Sequence, residues 1–526
     1  MIYVIGSGPS AAASVMALLA RGIRPVVIDA GITLEPERLR DVQRYRETGD
    51  LKSLKNLKSG MSASAKGIPL KLSFGSDFPY REASEKLCIQ ENSSGALPSF
   101  ALGGLSNVWG AAMLPYRDED IGDWPIRMHD LASHYRAVTE ITHLSQSPSG
   151  TMDTLFPSYC AHPESLRLGS QASAMWDDLQ LAAAKLQRKG ILFGRGRVAV
   201  KADIGRSGNA ACDYTGLCMY GCPNGSIYNS RDTIMKLAAE GRIEYLPDLI
   251  VKQIFENETG IKLICTCRKT GEALKFSGSK VFLGAGVISS ARILMESMNL
   301  LGRKLIIRDS QYFLFPMMRL HGAAEAAVEK SNTLSQIFVE MVKESGLTRS
   351  SHLQIYGYNE MVREALGKSL GPIGKIFPHT LRFLEERILI AQGYLHSDLS
   401  GTIETWLEQH NSIGQAPMHV RSVVNPATRD HVRAVVMKLL AQARLLKALP
   451  LFPMLQIASP GRGFHSGGTF PMSKSPTELQ TDILGRPSGF KNLHVIDSSI
   501  LPSIPATTIT FSVMANAHRI ASNCPL

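Results

Sequence analysis

The sequence predicts an α/β protein in which a parallel sheet is joined to a second, α+β region. Three segments carry this prediction, because each combines a short apolar run with a glycine-containing turn: residues 2–29, 281–294 and 465–521. Residues 311–455 lie between the last two and mix strand-like and helical runs without such a turn. Strands that alternate with helices favour a parallel sheet. We therefore expect the glycine segments to form one discontinuous domain and residues 311–455 to form most of another.

The first segment has the order strand, glycine turn, helix, strand and acid. An apolar run opens into Gly6-Ser7-Gly8-Pro9-Ser10-Ala11, a helical stretch follows, and a second apolar run ends at Asp29. Gly6 allows the tight turn, Gly8 lets the backbone approach a pyrophosphate, and Ala11 lets the helix pack close to the strand. The free N–H groups of the helix start favour a phosphate, and Asp29 suits ribose hydroxyls. The unit predicts a dinucleotide site; a βαβ unit without nucleotide is the alternative.

Composition limits the class of protein. The 526 residues suffice for two or three domains, and the hydrophobic (44 %) and charged (20 %) contents are those of a globular chain. The net charge of +11 favours acidic partners, but no nucleic-acid-binding module is recognisable, so nucleic acid is not expected among them. Eight cysteines are too few for a disulfide scaffold. Because the glycine unit starts at residue 2 and no apolar run would span a bilayer, we expect no export signal and a cytoplasmic protein.

Two internal segments also place small residues beside apolar ones. In residues 101–111, Gly103 and Gly104 precede Trp109. The paired glycines would let the backbone lie close to a flat ligand, and a simple structural turn is the alternative. Residues 243–283 have the pattern of a β-meander and lead into Gly284-Ala285-Gly286 and a helix. Both segments suit a cofactor-binding domain.

The C-terminal segment carries the candidate catalytic groups. His465 stands directly before a Ser-Gly-Gly-Thr turn, an apolar strand ends at Asp497, and Thr508 follows. A histidine beside a glycine turn can place a proton acceptor over a bound ring system, because the unperturbed imidazole pKa is about 6.5. A buried structural histidine is the alternative for His465 taken alone.

Together these motifs resemble the glucose–methanol–choline (GMC) family of FAD-dependent oxidoreductases, along nearly the whole chain. The resemblance implies a Rossmann-like FAD-binding domain and a second α+β, substrate-binding domain. It divides the chain into FAD-binding parts at 1–160, 196–310 and 456–526, a substrate-binding cap at 311–455, and a connecting or cap segment at 161–195.

The same resemblance implies roles for single residues. Gly6, Gly8 and Asp29 would hold the ADP half of FAD, the loop from Gly104 to Gly110 would lie along the isoalloxazine, and Asp497 would lie near the ribityl and pyrophosphate groups. The other residues expected at the cofactor are Ser10, Ala11, Ser106, Trp109 and Ala285.

His465 matches the active-site histidine of the family. An alcohol gives up a hydride only as its hydroxyl proton leaves, so a nearby base must take that proton. The family has a second polar residue further along, usually His or Asn, and the register of the surrounding sequence puts Thr508 there. A threonine hydroxyl cannot take a charge near neutral pH. Either His465 acts alone or another group completes the pair, and the departure bears on the substrate class.

A cluster of cysteines forms the sharpest secondary feature. Cys212, Cys218 and Cys222 fall within eleven residues, and a proline follows the last one. Clustered thiolates suit an iron–sulfur cluster. The spacing resembles the catalytic subunits of bacterial membrane-bound FAD glucose dehydrogenases, which implies a 3Fe–4S cluster and an electron-acceptor protein as partner. Zinc with a fourth ligand, free thiols and a disulfide are the alternatives.

These observations lead us to expect an FAD-dependent dehydrogenase that oxidises the hydroxyl of a small-molecule alcohol: a sugar, a polyol or a sterol-like compound. Two alternatives keep the flavin: a biosynthetic enzyme acting on a different bond, and a non-catalytic flavin-binding subunit. Residues 366–388 combine apolar and basic side chains. Peripheral contact with an anionic membrane is one interpretation of that stretch, and a partly buried helix pair broken at Pro378 is the favoured one.

Overall fold

The computed structural model describes residues 1–54, 57, 70–147, 150–161, 163–202, 210–342, 346–370, 378–409 and 415–525. Residues 50–71 carry five lysines among Ser and Gly, which predicts an exposed helix followed by a loop, and they fall largely outside these ranges. No helix among the residues so described is both long and apolar enough to cross a membrane.

The strands, in chain order, are β1 Ile2–Ile5, β2 Val26–Ile28, β3 Ile89–Asn92, β4 Leu144–Ser145, β5 Ile191–Arg195, β6 Val198–Ala199, β7 Glu244–Leu246, β8 Leu249–Asn257, β9 Gly260–Cys267, β10 Ala273–Gly278, β11 Lys280–Leu283, β12 Leu305–Asp309, β13 Tyr312–Arg319, β14 Ile337–Met341, β15 Ser351–Tyr356, β16 Ile388–Leu395, β17 Thr402–Leu407, β18 Met418–Val423, β19 Ala448–Pro450, β20 Gln456–Ile457, β21 Ser466–Gly467 and β22 Leu493–Val495. The α-helices span Pro9–Ala20 (α1), Pro36–Thr48, Ala83–Lys86, Met128–Thr142, Ser170–Gln187, Ser230–Ala239, Val287–Ser297, Glu360–Leu370, Pro378–Glu385, Ala427–Ala441, Ala443–Leu446 and Thr510–Asn523.

The three glycine segments meet in one parallel sheet, as the predicted fold class requires. The strand order is β22-β11-β1-β2-β7, and every neighbouring pair is parallel. Four of the strands are almost wholly buried, whereas β7 at the edge is partly exposed. Helix α1 packs against the C-terminal helix Thr510–Asn523. Because the strands are parallel, their carboxyl ends lie along one edge, where open α/β sheets bind their ligands. The α/β fold is therefore confirmed.

Two further sheets connect this domain to the rest of the chain. Strands β8, β9 and β10 form the antiparallel meander expected before residue 283. A five-stranded sheet has the order β21-β12-β17-β18-β3 and so combines strands from distant parts of the sequence. Its β12–β21 pairing places Asp309 opposite Ser466, beside His465.

A seven-stranded sheet forms the second layer, with the order β19-β13-β16-β15-β14-β5 and β20 paired to β13. Side chains alternate between its faces. One face is apolar and shares a hydrophobic cluster with the helices Ser170–Gln187 and Ala427–Ala441. Cross-strand pairing puts polar and aromatic side chains on the opposite face, here called the polar face: Tyr312, Phe338, Glu340, His352, Gln354, Tyr356, Gln392 and Tyr394.

Candidate active site

A cleft opens at the carboxyl edge of the parallel sheet. The Gly6–Ser10 turn, Asp29, the loop at Gly104 and the Gly284–Gly286 turn line this cleft. Helix α1 starts at Pro9, and no side chain caps it. Its first N–H groups are therefore available to an anion in the cleft.

The glycines of the first turn fit a pyrophosphate. Gly6 has φ +94°, and a Cβ there would lie 2.5 Å from the carbonyl oxygen of Gly284. A Cβ on Gly8 would meet nothing within 4 Å, and one on Gly104 would lie 3.4 Å from the Gly8 Cα. Gly6 is therefore needed by the fold itself, whereas Gly8 leaves open space in which a ligand can approach the backbone. Ser10 and Ala11, in the first turn of α1, are buried.

Asp29 is tied to the glycine loop through Ser7. The Ser7 hydroxyl donates to Asp29 Oδ2 at 2.6 Å and accepts from the Gly103 N–H at 2.9 Å. The Tyr245 hydroxyl also donates to Asp29 Oδ2, at 3.2 Å. Burial raises the pKa of Asp29 to about 6, against the lowering effect of these donors. The carboxylate stays at the edge of the cleft, where it can accept from ribose hydroxyls.

Ser106 and Trp109 hold the 103–110 loop from within. The Ser106 hydroxyl donates to the Gly103 carbonyl at 2.6 Å, and the Ser230 N–H donates to the Ser106 oxygen at 3.1 Å. The Trp109 indole N–H donates to the Tyr228 carbonyl at 3.0 Å. A Cβ on Gly110 would lie 3.5 Å from the Tyr356 hydroxyl, which places this loop beside the polar face.

Asp497 joins the end of β22 to the start of the helix Val287–Ser297. Its Oδ2 accepts from the Gly286 N–H at 2.8 Å and from the Ser290 hydroxyl at 2.6 Å, and its Oδ1 accepts from the Ser499 N–H at 3.0 Å. Burial raises the pKa of this carboxyl. Asp497 thus fixes the turn whose Ala285 and Gly286 line the cleft.

His465 lies at the end of the turn that precedes β21, and its ring lies against Tyr394 of the polar face. The ring centroids are 4.6 Å apart and the planes are 16° from parallel. The His465 Nδ1 atom is buried and has no hydrogen-bond partner among the described residues. Burial, assisted by the nearby His352, lowers the pKa of His465 to about 3. Near neutral pH the imidazole is therefore uncharged, and one of its nitrogens is a proton acceptor.

Asp309 clamps the turn that carries His465. Its Oδ2 accepts from the Gly461 N–H at 2.8 Å and its Oδ1 accepts from the Ser466 hydroxyl at 2.7 Å. The Ser310 N–H donates to the His465 carbonyl at 2.9 Å. Burial raises the pKa of Asp309 to about 7. Sequence reasoning missed this residue, because Asp309 lies more than 150 positions from the turn that it holds and belongs to no motif.

Thr508 is buried, and a backbone group already uses its oxygen. The Leu114 N–H donates to Thr508 Oγ1 at 2.7 Å. The hydroxyl keeps its hydrogen and one lone pair for a ligand, but it cannot take a charge near neutral pH and so offers no base.

A buried acid–imidazole pair lies behind Tyr394 on the polar face. His352 Nδ1 and Glu340 Oε2 are 3.2 Å apart, and both side chains are fully buried. Burial raises the pKa of Glu340. Sequence analysis missed this pair as well, because its members are brought together only by the β14–β15 register.

The three clustered cysteines line one small cavity, together with Tyr214 and Pro223. Burial raises the pKa of Cys212 to about 12 and also raises that of Cys222. Among the described parts of the chain, no group of three His, Cys, Asp or Glu side chains is placed to hold a metal ion. The three cysteines therefore lie near one another but are not arranged to coordinate a metal, and the predicted iron–sulfur cluster is not supported.

Comparisons with known proteins agree with this picture. Residues 453–517 match the family model described as GMC oxidoreductase, and a comparison with curated protein sequences found no match. Pyridoxine 4-oxidase from Mesorbium loti is similar in structure (TM-score 0.58, 13% identity, covering 99% of this chain and 98% of that chain). A formate oxidase (TM-score 0.59, 12% identity, 99% and 97%) and the Aspergillus oryzae RIB40 formate oxidase (TM-score 0.57, 12% identity, 99% and 97%) are similar too. At these identities the likeness to solved structures shows the fold.

Proposed function

We propose that this chain, which belongs to the GMC oxidoreductase family by its C-terminal segment and its fold, is an FAD-dependent enzyme that oxidises an alcohol group. One observation carries the proposal. A neutral imidazole, His465, with a buried and unpaired Nδ1 among the described residues, lies against the polar face in a chain whose parallel sheet carries a dinucleotide cleft.

The chemistry follows from what the residues can do. Bound FAD supplies the hydride acceptor. His465 takes the hydroxyl proton of the substrate, which allows the hydride to leave the adjacent carbon. Asp309 holds the turn that presents the imidazole, and Thr508 keeps a hydroxyl hydrogen for hydrogen bonding. A second charged base is not required by this scheme.

The polar face bears on the substrate class. It carries two amide side chains, Gln354 and Gln392, among tyrosines. Tyr356 donates to Gln354 Oε1 at 2.8 Å, and Gln392 donates to the Tyr394 oxygen at 2.8 Å. Amides and phenols offer donors and acceptors to hydroxyl groups. This surface favours a sugar or a polyol over a sterol-like alcohol.

The proposed enzyme has two possible electron acceptors, a protein or oxygen. In the dehydrogenase form, the loop with Cys212, Cys218 and Cys222 holds a 3Fe–4S cluster and passes electrons to an acceptor protein. In the oxidase form, oxygen accepts them directly. The oxidase form is favoured because the solved structures to which this chain is similar are those of oxidases. Iron content and low-temperature electron paramagnetic resonance of anaerobically prepared protein decide between the two, because absence of iron removes the relay.

The experiment that tests the function is a substrate screen on the purified holoprotein. The protein should be yellow from FAD, and an alcohol from a panel of sugars and polyols should bleach the flavin without oxygen. His465→Ala should abolish that bleaching and keep the flavin. The exposed His129 serves as the matched control in His129→Ala, which should behave as wild type. A colourless protein that cannot be reconstituted with FAD contradicts the proposal.

A second candidate rests on Thr508, whose oxygen is occupied by the Leu114 N–H. Without a second base, the same fold could act in biosynthesis on a bond other than an alcohol, such as an amine. A flavin that amines reduce and alcohols do not would favour this candidate.

A further inference from the structure

The His465 ring contacts an aromatic ring, and its Nδ1 atom has no hydrogen-bond partner among the described residues. A catalytic histidine is usually oriented by a hydrogen bond from one ring nitrogen to a carboxylate or a carbonyl. His465 Nδ1 has no such partner in the described chain, although the atom is buried. The contact that His465 does make is the stacked one with Tyr394, at 4.6 Å and 16°. This spacing lies within the range in which aromatic rings attract one another.

Tyr394 is itself held from three sides. The Gln392 amide donates to its hydroxyl oxygen at 2.8 Å. The ring of His352 lies 6.5 Å from it at 27°, and the ring of Tyr312 lies 6.1 Å away. Tyr394 is 6% exposed. These contacts restrict the movement of the Tyr394 ring, so the ring can in turn restrict the orientation of the His465 imidazole.

The charged groups near His465 are bound to other partners, so the group that faces its ring is the aromatic face of Tyr394. Both oxygens of Asp309 are engaged by the turn. Glu340 is directed to His352, and Arg462 interacts with Tyr312. None of the described carboxylates hydrogen-bonds the His465 ring. The face of a tyrosine ring attracts a cation within about 6 Å. A protonated His465 ring is therefore more stable against Tyr394 than it would be if it were buried without a partner.

We propose that Tyr394 is the positioning residue of His465: its ring face fixes the plane of the imidazole and stabilises the imidazolium that forms when His465 takes the substrate's hydroxyl proton. The inference rests on the proposed function and adds a residue to it. In that step the substrate O–H bond breaks, a new N–H bond forms on His465, and the hydride leaves with its electron pair to FAD. Tyr394 exchanges no proton.

Three substitutions in the FAD-loaded protein test the proposal. Tyr394→Phe keeps the ring face but loses the hydroxyl oxygen that accepts from Gln392, so we expect kcat to fall much less than in Tyr394→Leu. Tyr394→Leu removes it, and we expect kcat to fall on the order of 10²-fold, because misplacement of a catalytic group has effects of that size. KM should change far less than kcat. A pentafluorinated phenylalanine at position 394 keeps the shape and reverses the ring quadrupole, so it should also lower kcat.

Crystal structures of the same variants supply a readout that does not depend on activity. The His465 plane should be retained in Tyr394→Phe and rotated in Tyr394→Leu. Flavin content and melting temperature show whether each variant is folded. If Tyr394→Leu keeps both the ring plane and kcat, or if the fluorinated variant matches Tyr394→Phe, the proposal is overturned. A wild-type protein that no alcohol reduces refutes the proposed function instead, and the crystallographic comparison still tests the ring placement.

Discussion

At the scale of the residue, the buried carboxylates of the site accept hydrogen bonds from the loops around them. Asp29, Asp309 and Asp497 each accept at least two hydrogen bonds from neighbouring protein groups. Burial raises the pKa of all three. His465 differs, because its Nδ1 has no partner within the described residues. The proposed proton acceptor is therefore the group whose ring nitrogen the fold leaves without a hydrogen bond.

Asp309→Asn tests the clamp. The amide oxygen can accept on one side only, so the NH2 group faces either the Gly461 N–H, which then loses its acceptor, or the Ser466 hydroxyl, which must then accept instead of donate. The His465 turn then shifts, and we expect kcat to fall by up to about 10²-fold. Single-turnover flavin reduction measures the effect, and an unchanged rate would show that the turn does not need the clamp.

The same substitution has a pH signature in stability. The pKa of Asp309 rises from 3.8 to about 7 on folding, so the folded state holds this proton more tightly than the unfolded state. Between those two values stability falls as pH rises, and the loss is complete above pH of about 7. The amide introduced by Asp309→Asn does not titrate. The melting temperature of wild type relative to the variant should therefore decline from pH of about 4 to about 7, and parallel curves would contradict this.

Thr508 is expected to act through its oxygen as an acceptor. Thr508→Val leaves the buried Leu114 N–H without a partner, which costs about 1–3 kcal/mol of unfolding free energy. Thr508→Ser keeps the acceptor and should be close to wild type in stability and rate. Denaturant unfolding compares the two variants, and a Thr508→Val protein as stable as wild type would contradict the role of this acceptor.

At the scale of the element, the site forms where turns from separate parts of the chain meet. The Gly6–Ser10 turn, the 103–110 loop and the Gly284–Gly286 turn lie together because β1 and β11 are parallel neighbours. Ser7 then links the first turn to the second through the Gly103 N–H. The cleft depends on this meeting of backbones more than on any one side chain.

Gly6→Ala and Gly8→Ala separate the two uses of glycine in the first turn. At Gly6 a Cβ meets the Gly284 oxygen at 2.5 Å, so Gly6→Ala should lower the stability of the apoprotein. At Gly8 the protein leaves open space, so Gly8→Ala should keep apoprotein stability and weaken FAD binding by at least about tenfold. Melting curves of the apoprotein and FAD titrations measure both. Equal FAD affinity in Gly8→Ala and wild type would place the pyrophosphate elsewhere.

Local patterns made the cofactor domain predictable, and long-range pairing made the rest of the site unpredictable. The strand, glycine turn, helix, strand and acid of residues 2–29 appear in the structure as in the sequence, since each step depends on neighbouring residues. Tyr394 and His352 become neighbours only through the register of β15 on β16. Thr508 could be located by its position in the family pattern, but its backbone partner, 394 positions away, could not.

At the scale of the whole molecule, two hydrophobic cores support the site. One surrounds the parallel sheet, and the other lies under the seven-stranded sheet. The proposed catalytic group, His465, comes from the C-terminal part of the chain, while its stacking partner Tyr394 belongs to the seven-stranded sheet. A substrate between the polar face and the flavin would therefore contact both layers.

Cofactor loading should stabilise the whole molecule. A ligand that binds only the folded state adds about 2.7 kcal/mol at a concentration 100-fold above its dissociation constant. Removal of FAD should lower the melting temperature, and added FAD should restore it in a concentration-dependent way. Calorimetry of apoprotein and holoprotein tests this, with Gly8→Ala as the variant that should gain less. A melting temperature independent of FAD would mean that the cleft does not hold it.

The central claim, that His465 takes a substrate proton beside bound FAD, is tested most directly by anaerobic stopped-flow reduction of the flavin. Wild type and His465→Gln are compared with the alcohol that the substrate screen identifies. The account predicts rapid bleaching in wild type and a rate lower by about 10²–10⁴-fold in the variant, the range typical of a lost general base. Flavin content should be the same in both. Equal rates of bleaching in the two proteins would contradict the account.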